Sequence, residues 1–219
     1  MDRRRFLTAC STLPFFSACG SQGIVANNLN AAFEQAYGNK SAFDPVYALN
    51  LPYASLAVWQ DNAPRALLVL GKTEGGDHHW LSADRGVLVT RRGRVVQTVG
   101  LRQDLRKMQL IDPDFLGRVP VPELAERRRR QIDLMPGNRF GVLVEVDLEV
   151  LGEESVELIS GSRRLVKLRE RNYAPLLDWH CENIFWLDRQ TAYVWRSRQQ
   201  PAPGAPVLDI EVVKPAAEG

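Results

Sequence analysis

Residues 140–150 constrain the fold more than any other stretch. Phe140, Val142, Val144, Val146, Leu148 and Val150 share one parity, and Gly141, Leu143, Glu145, Asp147 and Glu149 take the other. Strict apolar–polar alternation is the mark of a strand with one buried and one wet face. Eleven residues is long for a strand and suits a curved sheet or barrel wall. Shorter runs with turn residues between them repeat the pattern. Leu51–Trp59 and Ala66–Leu70 flank Asp61-Asn62-Ala63-Pro64. His79–Ala83 and Val87–Thr90 flank Asp84-Arg85-Gly86, and Arg92-Gly93 precedes Val95, Val96, Thr98 and Val99. Gly75-Gly76 reads as a flexible turn. Val156–Leu158 and Leu165–Leu168 flank Ser160-Gly161-Ser162, and Ile184–Leu187 and Ala192–Trp195 flank Asp188-Arg189-Gln190-Thr191. Leu208, Ile210 and Val212 alternate with Asp209 and Glu211 in a last strand. Hairpins in succession predict a mainly β chain, an antiparallel meander forming a curved sheet or barrel-like domain.

Helical signals are few. Leu29, Ala32, Phe33 and Ala36 recur at helical spacing and predict an N-terminal helix, with Pro45 and Pro52 closing the helical phase. Asp104–Leu110 fits two helical turns, beyond which Pro113, Pro120 and Pro122 break the path. Glu123–Arg130 is a charged, helix-competent stretch. Its four consecutive Arg read either as a solvated helix face paired with Glu123 and Glu126 or as a contact for an acidic polysaccharide or partner.

The first residues read as an address. Arg3-Arg4-Arg5 precede an uncharged, moderately apolar run from Phe6 to Ala18, as in a bacterial export signal. The run is too short to span a bilayer stably. Arg3-Arg4-Arg5-Phe6-Leu7 fits the twin-arginine pattern, and the general secretory route fits equally. The run ends Phe16-Ser17-Ala18-Cys19, which resembles a lipobox. Small residues let the peptide enter the signal peptidase, and the Cys19 thiol carries the lipid. The expected organisation is a lipoprotein signal peptide over 1–18, a lipidated N-terminus and tether over 19–28, and a single β-rich domain over 29–219. Gly20, rather than Asp, follows the Cys and favours the outer membrane. Removing the three Arg and one Asp of residues 1–18 from the 28 basic and 26 acidic residues leaves 25 of each. A neutral mature chain gives no electrostatic support for nucleic acid.

Chemistry-bearing motifs are scarce. The cysteines are Cys10 in the signal, Cys19, and Cys181, which reads as a buried free thiol. His180 adjoins it, but neighbours on a strand point to opposite faces and make a poor dyad. His78 and His79 diverge for the same reason. No zinc spacing, CxxC, Gly-x-Ser-x-Gly elbow or phosphate-binding loop occurs. Gly71-Lys72-Thr73 lacks the earlier Gly of a nucleotide loop. The sequence thus offers no catalytic, cofactor or metal residues, and carboxylate pairs for glycoside chemistry stay open. Five Trp stand out. Trp and Tyr faces pack on sugar rings while polar neighbours bind hydroxyls, yet in a β-domain they also fill the core.

Three stretches carry a family likeness. One is Leu51-Pro52-Tyr53-Ala54-Ser55-Leu56 with Leu67, Val69 and Leu70. The second is Trp80-Leu81-Ser82-Ala83-Asp84 with Gly93-Arg94-Val95-Val96-Gln97-Thr98-Val99-Gly100-Leu101. The third is Glu182-Asn183-Ile184-Phe185-Trp186-Leu187-Asp188 with Val194-Trp195-Arg196-Ser197-Arg198-Gln199, then Pro203 and Lys214-Pro215. Their order and spacing resemble the YjbF family of outer-membrane lipoproteins, the group 4 capsule lipoproteins, from about residue 29 to 215. Ala192 stands where that resemblance places a turn Gly.

The resemblance implies a lipid-anchored periplasmic β-protein linked to capsule or exopolysaccharide production, with no established catalytic residues to carry over. Within it, Asp84, Arg94, Asn183 and Arg196 fit a polar network that pins strand ends. Together with Trp80 they also fit a groove for a glycan or a partner. The expected function is a non-enzymatic accessory protein held by its anchor on the periplasmic face of the outer membrane, with the polysaccharide or export proteins as partners. A polysaccharide-modifying enzyme and a purely structural envelope lipoprotein are the alternatives.

Overall fold

The computed structural model describes residues 43–118 and 126–216. The signal peptide, Cys19, the tether, the helix expected over 29–38 and residues 119–125 lie outside the described residues. The chain is almost entirely strand: β1 Ser55–Trp59, β2 Ala66–Glu74, β3 Asp77–Leu81, β4 Val87–Arg91, β5 Arg94–Val99, β6 Asp104–Leu110, β7 Glu126–Met135, β8 Arg139–Leu158, β9 Gly161–Ala174, β10 Trp179–Leu187, β11 Val194–Gln199 and β12 Leu208–Lys214. One α-helix, α1 (Pro45–Asn50), precedes them, and a 3₁₀ turn (Pro175–Leu177) links β9 to β10. Pro45 opens a helix instead of closing one. It sits in the first turn, where its missing N–H costs nothing, and the Asp44 carboxylate caps the Val46 and Tyr47 amides at 2.8 and 3.2 Å.

The strands form one sheet in the order β5-β4-β3-β2-β1-β12-β11-β10-β9-β8-β7-β6, with every recorded pair antiparallel. The first strand pairs with the last, so the meander curls into a nearly closed barrel whose seam lies between β5 and β6. Side chains stitch one end of that seam. Thr98 Oγ1 donates to Asp104 at 2.8 Å and accepts from the Leu105 amide at 2.9 Å.

Two expected helices are strands. Asp104–Leu110 is β6, and the charged run from Glu126 onward belongs to β7. The cause is a register shift between Leu105 and Lys107. The extra residue leaves the buried Leu105 and Met108 three apart, a spacing that imitates a helix. In β7, Arg128 and Arg130 share the parity of the buried Ile132 and Leu134, and they pair with Val146 and Val144. Phe140 also departs from expectation. It is 58 % exposed because β7 shifts register between Ile132 and Leu134, and it lies beneath Arg106, 5.7 Å from ring centroid to guanidinium.

β8 runs on beyond the alternating stretch. A bulge between Val150 and Gly152 pairs Val150 with Leu168 but Gly152 with Lys167. Val156 and Leu158 therefore face away from the barrel interior that Val146 and Leu148 fill. With Leu165 they pack on Trp186 and Trp195, on the outer face. The β8–β9 tip reaches far enough over the wall for the Ile159 amide to donate to Glu211 and for Ile159 to join Ala48, Ala57 and Val213. The alternating Asp209 and Glu211 of β12 are consequently buried rather than wet.

Eight strands enclose about as much space as side chains alone can fill; twelve enclose more. The β4–β5 turn fills the difference by crossing the interior. Gly93 sits against Val194 of β11, so close that a Cβ on it would lie 2.4 Å from the Val194 Cβ, and its φ is +83°. Gln199 of β11 fastens the crossing, donating to the Gly93 carbonyl at 2.8 Å and accepting from the Val95 amide at 3.0 Å. Gly93→Ala combines a left-handed backbone with an overpacked contact. We expect it to lower unfolding free energy by about 2–4 kcal/mol in urea denaturation, with Gly75→Ala, which meets nothing within 4 Å, losing markedly less.

Candidate functional site

The polar residues of the interior converge on Glu170. Its side chain, on β9, is wholly buried and takes Arg94 Nη1 at 2.6 Å, Arg130 Nη2 at 3.0 Å and Asn183 Nδ2 at 3.0 Å. Arg94 forks onto Asp114 through Nε and Nη2 at 2.8 and 2.9 Å, and its guanidinium lies 4.9 and 5.3 Å from the rings of Phe115 and Phe185. Arg130 also donates to Asn172. Burial pushes the Glu170 carboxyl up, but Arg130 and Arg94 outweigh it and hold the group at about 2. Burial likewise opposes ionisation of Asp114, and Arg94 again prevails, keeping it below the ordinary carboxylate range.

Cys181 borders this network, half-buried, 3.5 Å from Asn172 Nδ2. Burial, with Glu170 nearby, pushes its thiol up to about 12, so it stays protonated. His180 stacks on Tyr173 at 4.3 Å, on the solvent side.

Glu170 and Asp114 were not among the residues singled out from the sequence; Arg130 entered only in the charged run, and Gln199 only in the stretch that carries the family likeness. Strand parity carried a signal for Glu170. It continues the series Val166, Leu168, Glu170, Asn172, whose first two members are core residues. Glu170→Gln leaves two buried guanidiniums short of charge, and about 3–5 kcal/mol of stability should be lost. Because the folded-state carboxyl is depressed, its contribution is whole above the unfolded value near 4.5. It drains away as pH falls toward 2. Chemical denaturation from pH 6 to 2.5 should therefore show wild type losing stability below pH 4.5 and the variant losing less.

A cavity of about 190 Å³ opens at the end of the barrel that carries the β2–β3, β4–β5 and β10–β11 turns. Two aromatic pairs contribute to its lining. His78 meets Trp80 edge-on at 5.7 Å, and Tyr193 meets Trp195 edge-on at 5.0 Å. Leu56, Ile210 and Val212 add apolar surface, and Thr90, Arg92, Thr191 and Ser197 supply polar atoms. Trp80 Nε1 donates to Thr90 at 2.8 Å. Burial lowers the His78 pKa against the opposing charge of Asp77, which favours a neutral imidazole. Among the described residues, no Asp or Glu lines the cavity.

The five residues expected to share a groove are distributed over the molecule. Trp80 lines the cavity, almost wholly buried. Arg94 and Asn183 meet on Glu170. Asp84 sits in the β3–β4 turn at the opposite end of the barrel, accepting from Ser82, in a cleft of about 300 Å³ shared with Trp59 and Leu101. Arg196 borders the cavity, but its guanidinium lies on the outer face between the rings of Trp59 and Trp186, at 5.5 and 5.4 Å. Lys167 over Trp186 and Arg65 over Trp59 extend this ladder of rings and cations. Arg94 and Asn183 both bond to Glu170, and Asp84 and Arg196 lie outside that network. The turn residue Ala192 adopts φ +56°, a conformation that suits Gly, where the family resemblance placed one.

Comparisons with known proteins agree with this architecture. The chain is 24% identical to the hypothetical lipoprotein YmcC from Escherichia coli (K12), whose crystal structure superposes with a TM-score of 0.76 over 87% of this chain and 97% of that one. It is 28% identical over 170 residues to the lipoprotein GfcB of Escherichia coli (strain K12), covering 76% of this chain and 78% of that protein. A shorter stretch of 50 residues is 38% identical to the lipoprotein YjbF of the same organism, covering 23% of this chain and 24% of that one. Residues 26–213 match the family described as "Group 4 capsule polysaccharide lipoprotein gfcB, YjbF", and the chain belongs to that family.

Proposed function

We propose that this chain is a lipid-anchored, non-enzymatic accessory protein in capsule or exopolysaccharide production and export, acting from the periplasmic face of the outer membrane. The observation that carries the reading is the family match over residues 26–213, which takes in the described barrel up to the last residue of β12. The chemistry of the interior favours binding over turnover. Glycoside hydrolysis needs a pair of available carboxyl groups, whereas Glu170 and Asp114 are each held by guanidiniums and the aromatic cavity is lined by no carboxylate. An acylated Cys19 confines the barrel to the membrane surface, so that weak affinity for a polymer or an export component gives high occupancy.

Deleting the gene should reduce surface polysaccharide, and the wild-type gene should restore it. Cys19→Ala should move the protein from the membrane to the soluble periplasmic fraction and restore little. Normal polysaccharide in the deletion strain overturns the proposed role. Unchanged membrane fractionation of the variant overturns the anchor.

A further inference from the structure

The cavity at the barrel mouth has a size, a wall chemistry and a charge that together select a ligand. At about 190 Å³ it is smaller than the roughly 300–1,000 Å³ of sites for drug-sized molecules. It therefore holds one six-membered ring and not a length of polymer. Its lining includes two aromatic pairs, His78–Trp80 on β3 and Tyr193–Trp195 beside and on β11. Trp80 is 2 % exposed, so the half-buried Trp195 indole and Tyr193 phenol are the rings whose faces can pack against the C–H groups of a pyranose. A sugar ring can add to the Thr90 and Ser197 hydroxyls, which already accept from Trp80 Nε1 and Gln199 Nε2 at 2.8 Å each, whereas an alkyl chain uses only the apolar surface of Leu56, Ile210 and Val212.

Charge narrows the class further. Arg92 stands exposed at the mouth, and its Nη1 donates to the Leu116 carbonyl at 3.5 Å, a neutral acceptor that leaves the positive charge in place. Arg163, 3.8 Å above the Trp195 ring, lies on the other side of that wall near the Asp188 carboxylate and does not line the cavity. With no carboxylate in the lining, a negatively charged sugar is favoured.

We infer that the cavity binds a single acidic sugar residue, presented at the end or on a branch of a glycan. The choice of a glycan rests on the capsule reading above; the choice of one acidic ring rests on the cavity. Such a site recognises chain ends or side branches and leaves the polymer backbone free to move past.

The test uses the mature protein with methyl glucuronoside and methyl glucoside as probes and octanoate as an apolar control. The readout is the Trp80 and Trp195 indole N–H signals in NMR titrations. A ring of this size should bind in roughly the millimolar range. The glucuronoside is expected to shift both signals and to bind at least about tenfold more tightly than the glucoside, the size of one charge-assisted hydrogen bond. Arg92→Gln, an exposed position, should erase that preference without changing the melting temperature. Trp195→Ala should abolish binding of both sugars. Equal binding of the two glycosides overturns the acidic specificity, and silence from both, or shifts from octanoate alone, overturns the site. Each of these results is read independently of the deletion strain, so the cavity can fail while the accessory role stands, and the reverse.

Discussion

A carboxylate with no access to water holds this barrel together. Glu170 accepts from Arg94, Arg130 and Asn183, residues contributed by β5, β7 and β10. An unpaired buried charge would cost several kcal/mol, so each partner must be in place before the others can be buried. The distances in sequence are large, 76 residues to Arg94 and 40 to Arg130. This network therefore ties together strands that are remote in the meander. A ladder of hairpins specifies neighbours only. Glu170 specifies which strands face each other across the interior, and so sets the shape into which the ladder curls.

That shape produces the cavity. The β4–β5 turn is drawn inward, with Arg94 reaching Glu170 and Gly93 lying on Val194. One flank of the turn belongs to the ionic network, and Arg92, Gly93 and Thr90 on the other line the cavity. The buried charges and the aromatic pocket are two sides of one crossing element. Substitutions at Glu170 would consequently disturb the cavity through this turn, although Glu170 does not line it.

Much of the fold was legible because strand period and hairpin turns are local properties. The turns at Asp61–Pro64, Gly75-Gly76, Asp84–Gly86, Arg92-Gly93 and Asp188–Thr191 all lie between consecutive strands, and Ser160 lies between β8 and β9, which begins at Gly161. Reading failed where a bulge broke the period. The Leu105–Lys107 shift disguised β6 as a helix, and the irregularity opposite Ile132–Leu134 exposed Phe140. A bulge depends on how two strands meet, which neither strand encodes alone. The polar core escaped for a related reason. A buried Glu or Arg looks like a surface residue until its partner is known, and the partner of Arg94 lies on β9.

The outer wall extends the same logic to where the described chain begins. Trp186, Arg196, Trp59 and Arg65 stack in alternation across β10, β11, β1 and the β1–β2 turn, and Phe43 meets Arg65 at 5.9 Å. Arg65 adjoins the first residue of β2, at the end of the barrel opposite the β2–β3 and β4–β5 turns. The described chain thus starts beside the Asp84 cleft and runs along the outside through α1, where Ala48 packs on Ala57 and Val213, before entering β1 at the cavity end. Any anchor upstream of Phe43 therefore attaches to the barrel at the end remote from the cavity. Under the anchor proposed above, this arrangement carries the cavity mouth at the end of the barrel away from the attachment point.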